Sequence, residues 1–283
     1  MAAARSVVVG ADGSASSLLA LRWAAARARR LGLALEVVHA VALWPYDVRR
    51  TADHAADPHA DGRDLVGAAL EELGEAVAGL EVRAVVEVSS PAALLLQRAS
   101  SPQCVALGAR GRGGFPHLHL GSTAGQVAAH APCPVVVVRD SRGSGVVVGV
   151  DGSPASQAAV AFAFDEAEAL GEPLTAVHAW LPVYAGLGDL PYYDDVRPAG
   201  EDDEALLAES LAGLREQHPD VDVRRSVVSL HPVPALLEAS DGARLLVVGH
   251  RGRGGLERLL LGSVSRTLLH HAGCTVAVVR GPG

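Results

Sequence analysis

Two glycine-rich segments of the same design are the residues in this chain most suited to binding an anion. Each has the pattern Gly-x-x-Gly, then nine residues, then Gly-Ser, and the two copies begin at Gly108 and Gly249. Glycine lets backbone N–H groups approach an anion without obstruction by a Cβ atom. A helix that begins after such a loop also directs its positive end toward the anion. The spacing predicts two phosphate-binding loops, the alternative being tight turns that bind nothing.

Polar side chains in the same segments are of the types that hold phosphate. Ser122 and Ser263 stand where each helix should begin, so we expect them to be N-caps. Arginine binds phosphate with bidentate geometry, and the loops contain four of them: Arg110, Arg112, Arg251 and Arg253. The chain has no lysine, which excludes a Schiff-base lysine and the lysines of Walker-type and kinase phosphate sites.

A second pattern shows that the chain contains two copies of one module. Residues 6–41 and 145–180 both contain Val-Val-Val-Gly-x-Asp-Gly-Ser. The shared residues are Gly10, Asp12, Gly13, Ser14 and His39 in the first copy and Gly149, Asp151, Gly152, Ser153 and His178 in the second, with Ser16 matched to Ser156 one place later. The copies meet at a Gly/Ser-rich joint near residues 142–145. We therefore predict two domains, 1–143 and 144–283.

The elements that must position these loops follow from the apolar pattern. In each copy, short runs such as Val7–Val9 and Val135–Val138 lack polar alternation and are separated by helical stretches. This pattern favours a parallel sheet covered on both faces. Each half is predicted to be an open α/β sandwich with a mostly parallel five-stranded sheet. In such folds ligands bind beyond the carboxyl ends of the strands, where both glycine-rich segments lie.

Together, the Gly-x-x-Gly-x9-Gly-Ser spacing and the upstream Val-Gly-x-Asp-Gly-Ser resemble the ATP-binding branch of the universal stress protein family. The resemblance covers both halves and is closest to the tandem, actinobacterial form. It implies an adenine nucleotide alpha hydrolase-like fold and one ATP site per domain, with Mg²⁺ as a candidate companion of the nucleotide. It also implies a regulatory role in stress response, dormancy or growth control.

The resemblance assigns roles to matching residues. In the first copy these are Gly10, Asp12 and Ser14 near the sugar and phosphates, Val41 near the adenine, and Gly108, Ala109, Arg110, Gly111, Arg112, Gly113, Gly114, Gly121, Ser122 and Thr123 around the phosphates. In the second they are Gly149, Asp151, Ser153, Trp180, Gly249, His250, Arg251, Gly252, Arg253, Gly254, Gly255, Gly262, Ser263 and Val264.

Two departures from the family pattern are visible. Trp180 replaces an aliphatic residue, so we expect an altered adenine pocket in the second domain. The first nine-residue spacer holds His117 and His119, whereas the second spacer, which includes Glu257 and Leu259, has no histidine.

Several other polar residues have two interpretations. Asp12 and Asp151 could contact a ribose or Mg²⁺, or could cap the helices that follow them. His39 and His178 are interpreted as packed structural histidines rather than acid–base groups. The histidine- and aspartate-rich stretch 53–61 is a solvated loop or a weak metal site, and 182–203 is a loop that could cover the pocket.

The remaining features bear on the class of protein. A net charge of -8 argues against nonspecific nucleic-acid binding. No apolar run approaches the ~18 residues of a membrane span and no secretory signal is evident, so we expect a soluble cytoplasmic protein. The three cysteines, Cys104, Cys133 and Cys274, show no C-x-x-C spacing and are interpreted as packed residues rather than a disulfide framework or zinc site.

Two points about assembly and activity complete the expectations. The resemblance implies a homodimer, with the two domains pairing within the chain through their last strands, and a regulatory protein partner that the sequence does not name. No nucleophile–base pair recurs in both copies, so we predict no catalytic residues and no resident metal. The alternative is a slow ATPase or nucleotidyl-transferring enzyme on the same fold.

Overall fold

The computed structural model describes residues 6–41, 57, 59–100, 103–113, 119–180, 200–253 and 260–281. The chain forms two compact units, Met1–Asp140 and Ser141–Gly283. Three predicted loop residues, Gly114, Gly254 and Gly255, lie outside the described residues, as do His117, Glu257, Leu259 and most of the stretches 53–58 and 182–199.

Strands and helices alternate in both units. The elements of the first are β1 (Ser6–Gly10), α1 (Ala15–Leu31), β2 (Ala34–Val41), α2 (Ala60–Leu73), β3 (Val82–Val88), α3 (Pro91–Arg98), β4 (Cys104–Gly108), α4 (Ser122–His130) and β5 (Val135–Val138). Those of the second are β6 (Val146–Gly149), α5 (Pro154–Leu170), β7 (Leu174–Ala179), α6 (Glu201–Gln217), β8 (Val223–Val228), α7 (Pro232–Ala239), β9 (Leu245–Gly249), α8 (Ser263–His271) and β10 (Thr275–Val279).

Each unit contains a parallel sheet, and this confirms the predicted fold class. In the first unit the strand order is β3-β2-β1-β4-β5. In the second it is β8-β7-β6-β9-β10. The chain winds outward in both directions from the central pair, β1 with β4 and β6 with β9. The ends of these two strands therefore border the crevice where the order reverses, which is the usual ligand position in such sheets.

The sheets are buried because helices cover both faces. Helix α1 packs against β1 and β4, while α3 packs against β1 and β2. Strand residues Val7, Val9 and Val136 are fully buried. Helix α1 presents small residues to the sheet, and one of them, Ala24, is fully buried as well. Small side chains let the helix lie close to the strands, so the loops at the strand ends are held between rigid elements.

Two helices, α2 and α6, were not predicted. Helix α6 buries only Leu207 and Leu211, so its apolar stripe is too narrow to stand out from the acidic segment around it. Four acidic residues in its first turn favour the helix by interacting with its positive end. The segment predicted as a loop over 182–203 therefore ends inside a helix, which begins at Glu201.

No helix among the described residues combines the length and apolarity needed to cross a membrane.

A serine stands immediately before the first helix of each unit and caps it. The Ser14 hydroxyl accepts a hydrogen bond from the Ser17 N–H at 3.1 Å, and the Ser153 hydroxyl accepts one from the Ser156 N–H at 3.2 Å. Each hydroxyl satisfies a backbone donor that would otherwise lack a partner. Both serines are thus N-caps that fix where the chain turns from strand to helix.

We expect Ser14→Ala to lower the free energy of unfolding of the first unit by about 1 kcal/mol, because the Ser17 N–H loses its acceptor. Urea denaturation measures this change. Ser122→Ala is the matched control, because Ser122 is exposed and its hydroxyl makes no cap bond. Equal stability losses in the two variants would contradict the assignment.

Candidate functional site

The site in each domain forms where two neighbouring strands end. Parallel pairing sets Val9 of β1 beside Ala106 of β4, and Val148 of β6 beside Val247 of β9. The Asp-Gly-Ser turn that follows the first strand therefore lies next to the glycine-rich loop that follows the second.

A carboxylate links the two loops. Asp12 Oδ1 accepts the Ser14 N–H at 3.0 Å, and Asp12 Oδ2 accepts the Arg112 N–H at 2.9 Å. The second domain repeats the link, since Asp151 accepts the Ser153 N–H at 2.9 Å and the Arg253 N–H at 3.2 Å. The cap alternative for these aspartates is wrong, because Ser14 and Ser153 are the caps. The carboxylates instead hold the glycine loop against the first strand's end.

The hydrogen bonds to Asp12 change its acidity. Burial by itself would raise the pKa of the Asp12 carboxyl, but the bonds from Ser14, Arg112 and Ser17 outweigh it. The net result is a pKa below the ordinary value of 3.8. Asp12 is therefore ionised at neutral pH and acts as a fixed negative charge within its own loop.

Each loop has a glycine at the position where the aspartate carboxylate approaches the backbone too closely for a side chain. A Cβ atom on Gly111 would lie 2.5 Å from Asp12 Oδ2, and Gly252 is similarly close to Asp151 Oδ2. Neither glycine has a positive φ. Close approach of the carboxylate, rather than backbone conformation, is what excludes a side chain there.

The helix that follows each loop begins at the predicted serine, but the residue that caps it is the preceding glycine. Gly121 and Gly262 are the N-caps, and neither helix has a side-chain cap bond. The prediction that Ser122 and Ser263 cap these helices is wrong, because they occupy the first helical turn. No side-chain cap competes there for the first-turn N–H groups of α4 and α8. Such an end attracts anions.

The turn before each of these helices is closed by a backbone bond. The Gly121 N–H donates to the Ala109 carbonyl at 2.7 Å, and the Gly262 N–H donates to the His250 carbonyl at 2.7 Å. In the second domain Ser265 Oγ adds a bond to the same His250 carbonyl at 3.0 Å. These bonds bring the two ends of each spacer together beside the Gly-x-x-Gly turn.

A cavity of about 410 Å³ lies at this position in the second domain. Its volume falls in the range of small-molecule sites. One part of the cavity is lined by apolar side chains, those of Val177, Ala179, Pro232, Leu236 and Val248. The rest is lined by polar side chains and by glycines of the loop: Asp151, Ser156, Arg251, Gly252, Arg253, Gly262 and Ser263. The cavity can take a molecule with an apolar and an anionic end.

The cavity wall includes many of the predicted residues and some that sequence reasoning missed. Gly149, Gly249 and Val264 also lie in the wall, but Ser153, Trp180 and His250 do not. The missed residues are Val150, Ser156, Val177, Ala179, Pro232, Leu236, Val248 and Ser265. The alternation of β7 could have indicated Val177 and Ala179, which stand three residues and one residue before Trp180.

The two copies also align differently from the sequence prediction at one serine. The Ser17 hydroxyl accepts the Asp12 N–H at 3.4 Å, and the Ser156 hydroxyl accepts the Asp151 N–H at 3.0 Å. Ser17, not Ser16, is therefore the counterpart of Ser156, without any shift of register.

The two histidines at the ends of the second strands tie neighbouring strands together. Nδ1 of His39 bonds to the Ala11 carbonyl at 2.7 Å, and Nδ1 of His178 bonds to the Val150 carbonyl at 2.7 Å. Because a carbonyl accepts, Nδ1 carries the proton in both rings. These contacts agree with a structural role beside the strand ends.

The sequence also singled out the histidine- and aspartate-rich stretch 53–61 and the three cysteines. Asp57 pairs with Arg63 at the start of α2. Among the described residues no group of three His, Cys, Asp or Glu side chains could hold a metal ion. All three cysteines are buried and none of them forms a disulfide with a described residue, and burial raises the pKa of the Cys104 thiol to about 11.

These features define a class: tandem doubly wound α/β proteins with a glycine loop at the switch point of each domain. The family model described as the universal stress protein family matches residues 3–139 and 145–280. The chain belongs to the universal stress protein family.

Relatives and solved structures agree with this membership. A universal stress protein of Mycobacterium tuberculosis is 39% identical over 97% of this chain and 96% of its own length. One of Mycolicibacterium smegmatis is 38% identical over the same shares. The crystal structure of a universal stress protein from Archaeoglobus fulgidus has a TM-score of 0.69 at 19% identity, covering 97% of this chain and 98% of that chain, and is similar in fold.

We expect Gly111→Ala to destabilise the first domain by about 1–3 kcal/mol, because the new methyl group must displace the Asp12 carboxylate. Urea denaturation gives the free energy of unfolding. Gly113→Ala is the control, since a Cβ atom there meets no atom within 4 Å. If both variants unfold alike, Asp12 does not occupy the loop in solution.

The lowered pKa of Asp12 predicts a specific dependence of stability on pH. Because the folded-state pKa lies below the unfolded one, ionised Asp12 stabilises the fold above its ordinary pKa, and this contribution is lost as pH falls through the folded-state value. Asp12→Asn should therefore lose less stability than the wild type between about pH 5 and about pH 2. Equal losses, measured by urea denaturation across this range, would contradict the assignment.

Proposed function

We propose that this protein binds one adenine nucleotide in each domain, ATP or its hydrolysis products, and acts as a regulatory protein in stress response, dormancy or growth control. The observation that carries the proposal is the repeated convergence of a glycine loop, an uncapped helix N-terminus and an aspartate-bearing turn at the switch point of each sheet. The names of the M. tuberculosis and M. smegmatis relatives support the stress-related part.

The polar end of the cavity suits a phosphate chain. Arg251 and Arg253 line it together with Ser263 at the start of α8. The Nε atom of Arg251 is buried and has no hydrogen-bond partner among the described residues. A buried guanidinium donor without a partner is costly, and a phosphate oxygen would satisfy it with a charge-assisted bond. Gly252 has no side chain, so the loop backbone next to Arg251 is also accessible to a phosphate oxygen.

The apolar end suits a planar base. Val177, Leu236 and Val248 provide walls without polar side-chain atoms, and burial of an aromatic base against them is favourable. The corresponding residues in the first domain are Val38, Leu95 and Leu107. Base recognition would then fall to backbone groups at the ends of β2 and β7, beside Val41 and Trp180.

Asp151 lines the cavity of the second domain, and Asp12 is its counterpart in the first. Each carboxylate oxygen already accepts a backbone N–H, but each has further lone pairs. A ribose hydroxyl could donate to them. A Mg²⁺ ion carried with the nucleotide would be held by the carboxylate of Asp12 or Asp151, since Mg²⁺ prefers oxygen ligands, and its charge would offset the repulsion between carboxylate and phosphates.

The proposal assigns binding, with conformational or partner-binding consequences, rather than turnover. A homodimer, which the family resemblance implies, and a cytoplasmic location belong to it as well. A protein partner that reads the nucleotide state would complete the regulatory role.

Calorimetric titration of ATP into the full chain tests the proposal, with two sites per chain expected. Gly121→Leu and Gly262→Leu should each remove one site, because a long side chain at the helix start fills the space for the phosphates. Gly67→Leu and Gly213→Leu are matched controls, since a Cβ atom at either position meets nothing within 4 Å. These controls should retain both sites.

Thermal unfolding offers an independent readout, because a ligand that binds only the folded state raises stability with its concentration. Failure of ATP, ADP and AMP to bind or to protect either domain would overturn the proposal.

A further inference from the structure

The two domains differ at the residue that precedes each glycine loop. This residue is Leu107 at the end of β4 and Val248 at the end of β9. Val248 lines the cavity of the second domain, and Leu107 is buried at the matching place in the first. The larger side chain therefore stands where the apolar end of a ligand would lie.

Contacts with the neighbouring strand show how far Leu107 reaches. A Cβ atom on Gly10 would be 2.6 Å from Leu107 Cδ2, whereas one on Gly149 would be 3.4 Å from Val248 Cγ1. The distance to the leucine on the covering helix differs less between the domains and in the opposite direction. It is 3.5 Å from a Cβ atom on Gly10 to Leu95 and 3.0 Å from one on Gly149 to Leu236. The Cδ2 methyl group of Leu107 thus lies closer to Gly10 than any side chain lies to Gly149, where the nearest atom belongs to Leu236 at 3.0 Å.

A second difference concerns the loop backbone. Ser16 Oγ accepts the Arg110 N–H at 3.3 Å in the first domain. Ala155 stands at the matching position of α5 and has no hydroxyl, and the Arg251 N–H has no hydrogen-bond partner among the described residues. The Arg110 N–H thus bonds to helix α1 in the first domain, whereas the matching Arg251 N–H has no such bond to helix α5 in the second.

We propose that the two nucleotide sites are unequal, with the second domain as the tighter site, because Leu107 reduces the base pocket of the first and Ser16 engages its loop amide. This inference rests on the proposed function. One methylene in an apolar pocket changes affinity by about 10- to 200-fold. We expect the second site to bind ATP at least about tenfold more tightly than the first.

The test uses full-length chains that each keep a single site. Gly121→Leu leaves the second site and Gly262→Leu leaves the first, and ATP is titrated into each by calorimetry. Leu107→Val is then added to the Gly262→Leu chain and Val248→Leu to the Gly121→Leu chain. The first exchange should tighten binding and the second should weaken it, each by about tenfold.

A second pair of exchanges separates the loop from the pocket. Ser16→Ala in the Gly262→Leu chain should tighten binding, and Ala155→Ser in the Gly121→Leu chain should weaken it, by a few-fold each. Unfolding by urea confirms that every chain is folded before its affinity is compared.

The outcomes distinguish this inference from the proposed function. Equal affinities in the two single-site chains, or exchanges at 107 and 248 that leave both affinities unchanged, would overturn the inference while nucleotide binding stands. Absence of ATP binding in the wild-type chain would overturn the proposed function and the inference with it.

Discussion

The hydrogen bonds between an aspartate and the glycine loop of the neighbouring strand are the interaction on which each site depends. Asp12 and Asp151 bond both to the turn that precedes a helix and to a backbone N–H of the loop. The parallel pairing of β1 with β4 and of β6 with β9 brings these partners together. Glycine at 111 and 252 follows from the same contact, since any side chain would strike the carboxylate.

Much of this arrangement could be predicted from the sequence because its causes are local and repeated. Continuous valine runs indicate buried parallel strands, and the same glycine spacing occurs twice. The start of α4 at Ser122, with Gly121 as its cap, depends on tertiary bonds such as Gly121 N–H to the Ala109 carbonyl, so the serine cap was predicted wrongly. Helix α6 was missed because its apolar stripe is narrow. Leu236 was missed as a wall residue because its place there depends on the packing of α7 against β6 and β7, which is a tertiary contact.

Duplication has preserved the aspartate–glycine contact while changing what surrounds it. Leu107 and Val248 differ by one heavy atom, and so do Ser16 and Ala155. Such small changes keep the fold but alter how much space and how many free N–H groups each loop presents. The absence of lysine fits this design, because arginine, helix N-termini and glycine backbone together supply the donors that a phosphate needs.

Native mass spectrometry of the full chain tests the central claim most directly, because it counts small molecules bound to each intact polypeptide. With ATP added, the account predicts a species carrying two adenine nucleotides per chain, preceded at lower concentration by a species carrying one. A chain that keeps its unliganded mass at saturating ATP, ADP and AMP would contradict the account.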